Sequence, residues 1–349
     1  MRRFCPGFLP VVGITMLASI GWAQQAPTAG PYKVLKTAKV GGEGGFDYVY
    51  ADTAGRRLYI PRSGTTPRIT VFDLDTLDTV GQIPNASAHG VAVDPKSNHG
   101  FATSKPLVMF DTKTPATIKT IDVQGGPDGI LFDPFNERIY DLSHNPPNAT
   151  VIDATDGTVV GTIDLGGAPE QTVTDGKGHL YIDIEDKGSI AVVDAKTLTV
   201  TTHYDLAGKG GTCAGLAIDV KNHILFAACR NPQTMVILNA VDGKIITTLP
   251  IGTGVDGAAF NPNTMEAFSS QGDGTLTVVK ENSPTNFVVE QNVQTRQSAK
   301  TLTLDSKTNR ILLIAADFAA PSDAPLAAGG RPGRGQMVPD SFSILVVGK

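Results

Sequence analysis

The stretch PDGILFDPFNERIYDL, residues 127–142, contains two short apolar strands folded over an Asp133-Pro134 turn. The same pattern of a strand that ends in an Asx residue and a turn occurs seven times. The turn residues are Asp52, Asp94, Asp133, Asp175, Asp219, Asn261 and Asp305, and they lie 39 to 44 residues apart. A repeat of this length that is built from short strands predicts blades stacked into a ring.

Each repeat continues with three more strands. Second strands such as RIYDLS and HLYIDI alternate as a pleated strand does, a third strand such as TVIDA follows, and a fourth such as VVGTIDLGG ends the unit. Four short strands in one unit are typical of a propeller blade, whose faces must be covered by its neighbours. The sequence therefore predicts an all-β fold, a seven-bladed β-propeller of four-stranded blades.

The two chain ends predict how the ring closes. The last repeat stops after its third strand, SFSILVVGK, whereas YKVLKTAKVGG near the N-terminus matches the fourth strands of other repeats. We expect this N-terminal strand to complete blade seven, which would leave no unpaired edge at the seam.

The units RLYIPRSGTTPRITVFDLDTLDTVGQI and HLYIDIEDKGSIAVVDAKTLTVTTHYDL resemble the YVTN repeats of the YncE-like seven-bladed propeller family. The resemblance extends over nearly all of the chain after residue 23. It implies the propeller fold. The family usually has Asn at the end of the second strand, whereas this chain has Arg62, Ser104, Ser143, Ile184, Cys229, Gln271 and Ala316 there. The resemblance therefore carries over no ligand.

Residues 1–23 have a basic start, an apolar run of about 13 residues and a small-residue ending, as a secretory signal peptide requires. The run is shorter than the ~20 residues that cross a bilayer, so we expect no membrane span. We predict cleavage near Ala23, a linker over 24–31, one propeller over 32–349, and a periplasmic or secreted location. Cleavage would remove Arg2 and Arg3 from the 29 basic residues and leave all 34 acidic ones, moving the net charge from −5 to −7. Such a balance argues against nucleic acid as a partner.

The acidic residues fall into two groups. Those that end the first strands, such as Asp133, suit a turn, because an Asx side chain can accept a backbone N–H two residues on. Asp128 instead precedes its strand. Positions equivalent to Asp128, and the loops between second and third strands, should surround the mouth of the central channel. We predict ligand-binding residues there: Asp47, His89, Asp128, Glu170, Asp256, Lys300, Lys105, His144, Glu185, Arg230 and Asp317. The alternative is that these groups only solvate the channel and pair with one another.

No metal site or cofactor is expected from the sequence. His89 and His144 come from neighbouring repeats and lack the closely spaced partners of a zinc site. Calcium is the cation that Asp47, Asp128, Glu170 and Asp256 would suit, although no calcium-loop motif is present. A His–carboxylate pair could act in general acid–base catalysis, but the sequence has no Gly-x-Ser-x-Gly motif to supply a nucleophile.

Two further features leave alternatives open. Cys213 and Cys229 should lie opposite each other in blade five, as a disulfide or as two buried thiols. Residues 321–338 interrupt blade seven with a Pro-, Gly- and Ala-rich stretch that we expect to be flexible, either a tolerated insertion or a lid.

These patterns favour a binding scaffold over an enzyme. The leading hypothesis is an exported, monomeric β-propeller that recognises a small molecule or an envelope macromolecule at the channel mouth. The first alternative is a hydrolase, lactonase or lyase that uses His and carboxylates, with or without a divalent metal. The second is a structural or interaction module of the cell envelope.

Overall fold

The computed structural model describes residues 1, 28–319 and 335–349, and these residues form seven four-stranded antiparallel sheets arranged as propeller blades. Blade one contains β2 (Tyr50–Asp52), β3 (Arg57–Arg62), β4 (Arg68–Asp73) and β5 (Thr79–Pro84), and blade two contains β6 (Val91–Asp94), β7 (His99–Ala102), β8 (Leu107–Asp111) and β9 (Thr117–Ile121). Blade three contains β10 (Pro127–Asp133), β11 (Arg138–His144), β12 (Pro147–Asp153) and β13 (Val159–Asp164), and blade four contains β14 (Pro169–Thr174), β15 (His179–Ile184), β16 (Ser189–Asp194) and β17 (Thr199–Asp205). Blade five contains β18 (Cys213–Asp219), β19 (Ile224–Arg230), β20 (Gln233–Asn239) and β21 (Ile245–Pro250), and blade six contains β22 (Val255–Asn261), β23 (Glu266–Gln271), β24 (Thr275–Ser283) and β25 (Asn286–Gln294). Blade seven contains β26 (Leu302–Asp305), β27 (Arg310–Ala315), β28 (Ser343–Gly348) and the N-terminal β1 (Lys33–Lys39), and a single-turn 3₁₀ helix covers Glu185–Lys187.

The ring closes as the sequence predicts. β1 pairs antiparallel with β28, from Lys33 opposite Gly348 to Lys39 opposite Ser343. Arg56 adds a polar link between blades one and seven, because its guanidinium reaches Asp305 of blade seven at 2.8 Å and Asp75 of blade one at 2.6 Å. The predicted closure and the seven-bladed fold are both confirmed.

Apolar side chains fill the spaces between blades, since both faces of each inner strand are covered. On β11, Ile139 packs towards blade two, whereas Tyr140 and Leu142 pack towards blade four with Leu180 and Ile182 of that blade. This alternation explains why the second strands are almost continuously buried.

The predicted turn role of the Asx residues is confirmed. The carboxylate of Asp94 accepts the N–H of Lys96 at 2.9 Å, and that of Asp219 accepts the N–H of Lys221 at 2.9 Å. The five other members accept an N–H two or three residues further on in the same way. These side chains hold the end of the propeller that faces away from the predicted mouth.

Some predicted segments lie outside the described residues: 2–23 of the signal peptide, 24–27 of the linker and 321–334 of the loop in blade seven. Residues 335–338 of that loop are described, and there Val338 donates its N–H to Asp317 O at 2.8 Å while Met337 bridges to Phe318. Within the described part of the chain, no helix is long and apolar enough to cross a membrane.

Candidate functional site

The candidate site lies at one end of the propeller, where the innermost strands begin and the loops between second and third strands turn. These two sets of positions lie side by side around the channel mouth: His144, at the end of β11, lies beside Asp128 at the start of β10. Arg230, at the end of β19, lies beside Asp256 at the start of β22. The propeller thus brings side chains from every blade towards one axis.

One half of the mouth, which we call the histidine arc, consists of Asp47, His89, Asp128, His144 and Glu170. The Nδ1 atom of His89 lies 2.8 Å from Asp47 Oδ2 and 3.3 Å from Asp128 Oδ1. The Nε2 atom of His144 lies 3.1 Å from Asp128 Oδ2 and 3.9 Å from Glu170 Oε1. The two oxygens of Asp128 therefore face different imidazoles, and acids and histidines alternate along the arc.

The other half, which we call the lysine–arginine arc, consists of Glu185, Arg230, Asp256 and Lys300. Arg230 pairs with Glu185 at 2.9 Å and also with Asp256. Lys300 pairs with the second oxygen of Asp256 and lies 3.5 Å from Asp47, which joins the two arcs. The guanidinium of Arg230 keeps its positive charge at physiological pH.

The structure joins nine of the eleven predicted site residues in these two arcs and places two elsewhere. The ammonium group of Lys105 donates to the carbonyl of Gly125 in the neighbouring blade. Asp317 pairs with Arg296, which also donates to Ser343 Oγ at 2.9 Å. These two contacts tie adjacent blades together at the edge of the mouth.

Proton affinities in the histidine arc are strongly altered. The contact with Asp47 raises the pKa of His89, against the opposing effect of burial. The contact with Asp128 raises the pKa of His144 to about 9. Burial raises the pKa of Glu170 to about 8, and the charge of Asp128 adds to the effect. Around neutral pH, the imidazole of His144 and the carboxyl group of Glu170 therefore both favour their protonated forms.

The charged form dominates where the two arcs meet. Burial opposes ionisation of Asp47, but the contacts with His89 and Lys300 outweigh it, so the pKa of Asp47 is lowered. Burial likewise opposes the charge of Arg230, yet Asp256 and the nearby glutamates raise its pKa. The contacts of Asp47 and Arg230 with oppositely charged neighbours thus favour the ionised forms of these two side chains.

Two residues that the sequence analysis missed stand directly after predicted ones. Tyr48 donates its hydroxyl to Glu170 Oε2 at 2.7 Å, which leaves Oε1 of Glu170 facing His144. Gln171 of blade four reaches the inner strands of blades five and six: its side-chain oxygen accepts the N–H groups of Leu216 and Ala258 at 3.0 and 2.9 Å. Both line a cavity of about 320 Å³ in the channel below the mouth. A polar side chain next to a predicted mouth residue was the signal for each.

Two buried aspartates beneath the mouth were also missed. Both oxygens of Asp141 and of Asp183 are buried and have no hydrogen-bond partner. Burial raises the pKa of Asp141 to about 8, with a further contribution from the charge of Asp128, and burial raises the pKa of Asp183 well above its usual value. Such groups are stable when protonated and costly when ionised.

A disulfide bond joins Cys213 and Cys229 across the first two strands of blade five. Cys213 precedes Ala214, the one non-ionisable residue among the seven strand-start positions, and Cys229 precedes Arg230. The bond therefore fixes the backbone from which Arg230 reaches Glu185 and Asp256.

The donor atoms of the histidine arc form two groups that could hold a metal ion. One contains Asp47, His89 and Asp128, the other contains Asp128, His144 and Glu170, and in each group the atoms lie within 4.8 Å of one another. Imidazole nitrogen together with carboxylate oxygen is a donor set that divalent transition metals accept.

Comparisons with known proteins support the architecture. No protein-family model matches the chain, and no curated sequence matches it. The solved structure of U3-55K is similar, with a TM-score of 0.70 at 11% identity over 91% of this chain and 99% of that one. The likeness shows the fold alone. At this level of identity, a shared propeller says nothing about which ligand a chain binds, because function depends on the site rather than the fold.

Proposed function

We propose that this protein is an exported binding protein that recognises a small polar ligand at the channel mouth. The observation that carries the proposal is the convergence of nine ionisable side chains from all seven blades in two contacting arcs. A concave site with several convergent polar groups is where a propeller of this size would take a ligand.

The exposure of the mouth supports ligand access. The side chains of His89 and His144 are 53% and 40% exposed, whereas Asp256 and Glu170 are each 10% exposed. Exposed imidazoles above buried carboxylates provide groups that can change partner without unfolding the blades. Gln171 links the inner strands of blades four, five and six beneath them and so supports the floor of this part of the mouth.

Export is part of the proposal. It is supported by the basic, apolar and small-residue pattern of residues 1–23. The Cys213–Cys229 disulfide agrees with it, because such bonds persist in oxidising compartments. Membership of the YVTN-repeat family, a monomeric state and the alternative role as an envelope interaction module stay predictions.

A thermal-shift screen tests the binding proposal. Divalent metals, sugars, lactones and cell-wall fragments would be tested on the wild type, on Asp128→Asn and Arg230→Gln at the mouth, and on Lys96→Gln. Lys96 pairs with Glu137 at the opposite end of the propeller and serves as the control. A ligand at a hundred times its Kd stabilises by about 2.7 kcal/mol. We expect a stabilising compound to act on the wild type and the control and to lose its effect in a mouth variant; equal stabilisation of all four proteins would refute the proposal.

The pair of His89 and Asp47 favours a second candidate, acid–base catalysis of hydrolysis. Their 2.8 Å contact and the exposure of the imidazole suit a general base oriented by a carboxylate. Turnover of lactone and ester substrates by the wild type and His89→Asn measures this. Turnover that His89→Asn does not reduce would exclude this pair as the base.

A further inference from the structure

The histidine arc has the composition of a metal centre, although the sequence analysis predicts none. The sequence separates the ligands: His89 and His144 lie in different repeats, with no short spacing between donors. The fold removes that separation, because positions about one repeat apart stand side by side around the channel. Asp128, between the two imidazoles, is within 3.3 Å of His89 and 3.1 Å of His144.

We propose that the histidine arc binds two divalent transition-metal ions, with Asp128 as the ligand that they share. Asp47, His89 and Asp128 Oδ1 would hold one ion, and Asp128 Oδ2, His144 and Glu170 the other. A carboxylate that bridges two ions is common in two-metal sites, where the ions lie about 3.5–4 Å apart. The inference rests on the proposed function and names the ligand class of the same mouth.

The kind of metal follows from the donor atoms. Each group combines one imidazole nitrogen with two carboxylates. Zinc and its neighbours in the first transition row accept such sets, whereas calcium and magnesium prefer oxygen alone. We therefore expect Zn²⁺ and Co²⁺ to bind, and Ca²⁺ to bind far more weakly.

The hydrogen bond of Tyr48 is an independent sign that the arc is built to hold a ligand. Tyr48 is a positioning residue: its hydroxyl occupies Glu170 Oε2 and directs Oε1 towards His144. Partners that orient a ligand through its second atom are typical of metal sites, and removing one weakens metal affinity by about 10- to 100-fold.

Another His–Asp pair of this protein has similar geometry to the His89–Asp47 pair but lies outside the histidine arc. The Nδ1 atom of His179 lies 2.8 Å from Asp175 Oδ2, and its side chain is 54% exposed, nearly the values of the His89–Asp47 pair. No third ligand joins His179 and Asp175 among the described residues. This pair is therefore a matched control for an ordinary surface contact.

Calorimetric titration of the untagged, chelator-treated protein with Zn²⁺ tests the proposal, and the visible absorption of bound Co²⁺ reports ligand geometry. We expect two ions per chain in the wild type and in His179→Gln. His89→Gln and His144→Gln should each lose one ion, Asp128→Asn should lose both, and Tyr48→Phe should bind about 10- to 100-fold more weakly. The two exposed histidine variants keep the test valid if Asp128→Asn does not fold.

The proposal would be overturned if the wild type bound no zinc, if it bound one ion per chain, or if the histidine variants did not change the binding. Calcium binding as tight as zinc binding would also overturn it. If zinc fails while another compound of the thermal-shift screen still depends on Asp128 or Arg230, the metal inference is wrong and the proposed function stands. If no compound depends on the mouth, both are wrong.

Discussion

Both arcs of the channel mouth contain aspartate and glutamate side chains, but the arcs differ in the basic partners of those acids. In the lysine–arginine arc, Asp256 lies between Arg230 and Lys300 and pairs with both, and the guanidinium of Arg230 cannot give up its proton. In the histidine arc, imidazoles stand beside Asp128, and an imidazole can lose its proton and offer a nitrogen to a metal. The comparison indicates that one arc is built for structure and the other for exchange of partners.

Among the variants that test this difference between the arcs, removal of the disulfide beside Arg230 should change the free energy of unfolding most. Replacing Cys213 and Cys229 by Ser should destabilise the protein by about 3 kcal/mol, because the bond closes a loop with a sequence separation of 16 residues. Urea unfolding of the variant and the wild type measures this. Zinc affinity of the histidine arc should be unchanged, and a loss of zinc binding would show that the two arcs are not independent.

Removing the shared acid of the lysine–arginine arc should have the next largest effect. Asp256→Asn leaves two permanent cations side by side and should cost about 2 kcal/mol, less than for a fully buried pair because Arg230 is partly exposed. Asp128→Asn should cost below about 1 kcal/mol, because its histidine partners can shed their protons. Urea unfolding compares them, with the exposed Asp75→Asn as control. Equal losses for Asp256→Asn and Asp128→Asn would contradict the division of the mouth.

Asp141 beneath the histidine arc provides a pH-dependent prediction. Burial raises the pKa of this acid to about 8 in the folded protein. Between about pH 4 and pH 8 the carboxyl group is therefore ionised in the unfolded chain but protonated in the folded protein, so the free energy of unfolding falls as pH rises through that range. Asp141→Asn should therefore be more stable than the wild type at pH 7, by about 1 kcal/mol, and the gain should shrink towards pH 5. Urea unfolding at both pH values measures this, and a gain that grows at pH 5 would have the wrong sign.

The smallest effect is expected at Lys105, which stands at the mouth but belongs to neither arc. Its ammonium group contacts only the carbonyl of Gly125 among the partners described for it. Lys105→Gln should change stability by less than about 0.5 kcal/mol and leave zinc affinity unaltered. A titration of this variant that differed from the wild type would extend the site beyond the two arcs.

The sequence predicts the fold well because its signals are local. The turn chemistry of Asp94 and Asp219, the alternation in the second strands and the missing fourth strand of the last repeat each depend on a few neighbouring residues. The turn and strand patterns repeat seven times, so an error in reading one unit is corrected by the others. The ring closure follows from the same pattern.

The site was predicted only in part because contacts across blades depend on side-chain reach. Ring positions indicate which residues face the mouth, yet not that Asp128 directs one oxygen to each histidine. Nor do they show that Asp317 instead pairs with Arg296, a residue at none of the predicted mouth positions. Tyr48 directly follows a predicted mouth residue, yet the sequence does not show that its hydroxyl group reaches Glu170.

The most direct test of the difference between the arcs is a crystal structure of the protein soaked with Zn²⁺, with anomalous scattering measured at the zinc edge. The account predicts two anomalous peaks on either side of Asp128, one beside His89 and one beside His144, and none between Arg230 and Lys300. Peaks in the lysine–arginine arc, or no peak at Asp128, would contradict it.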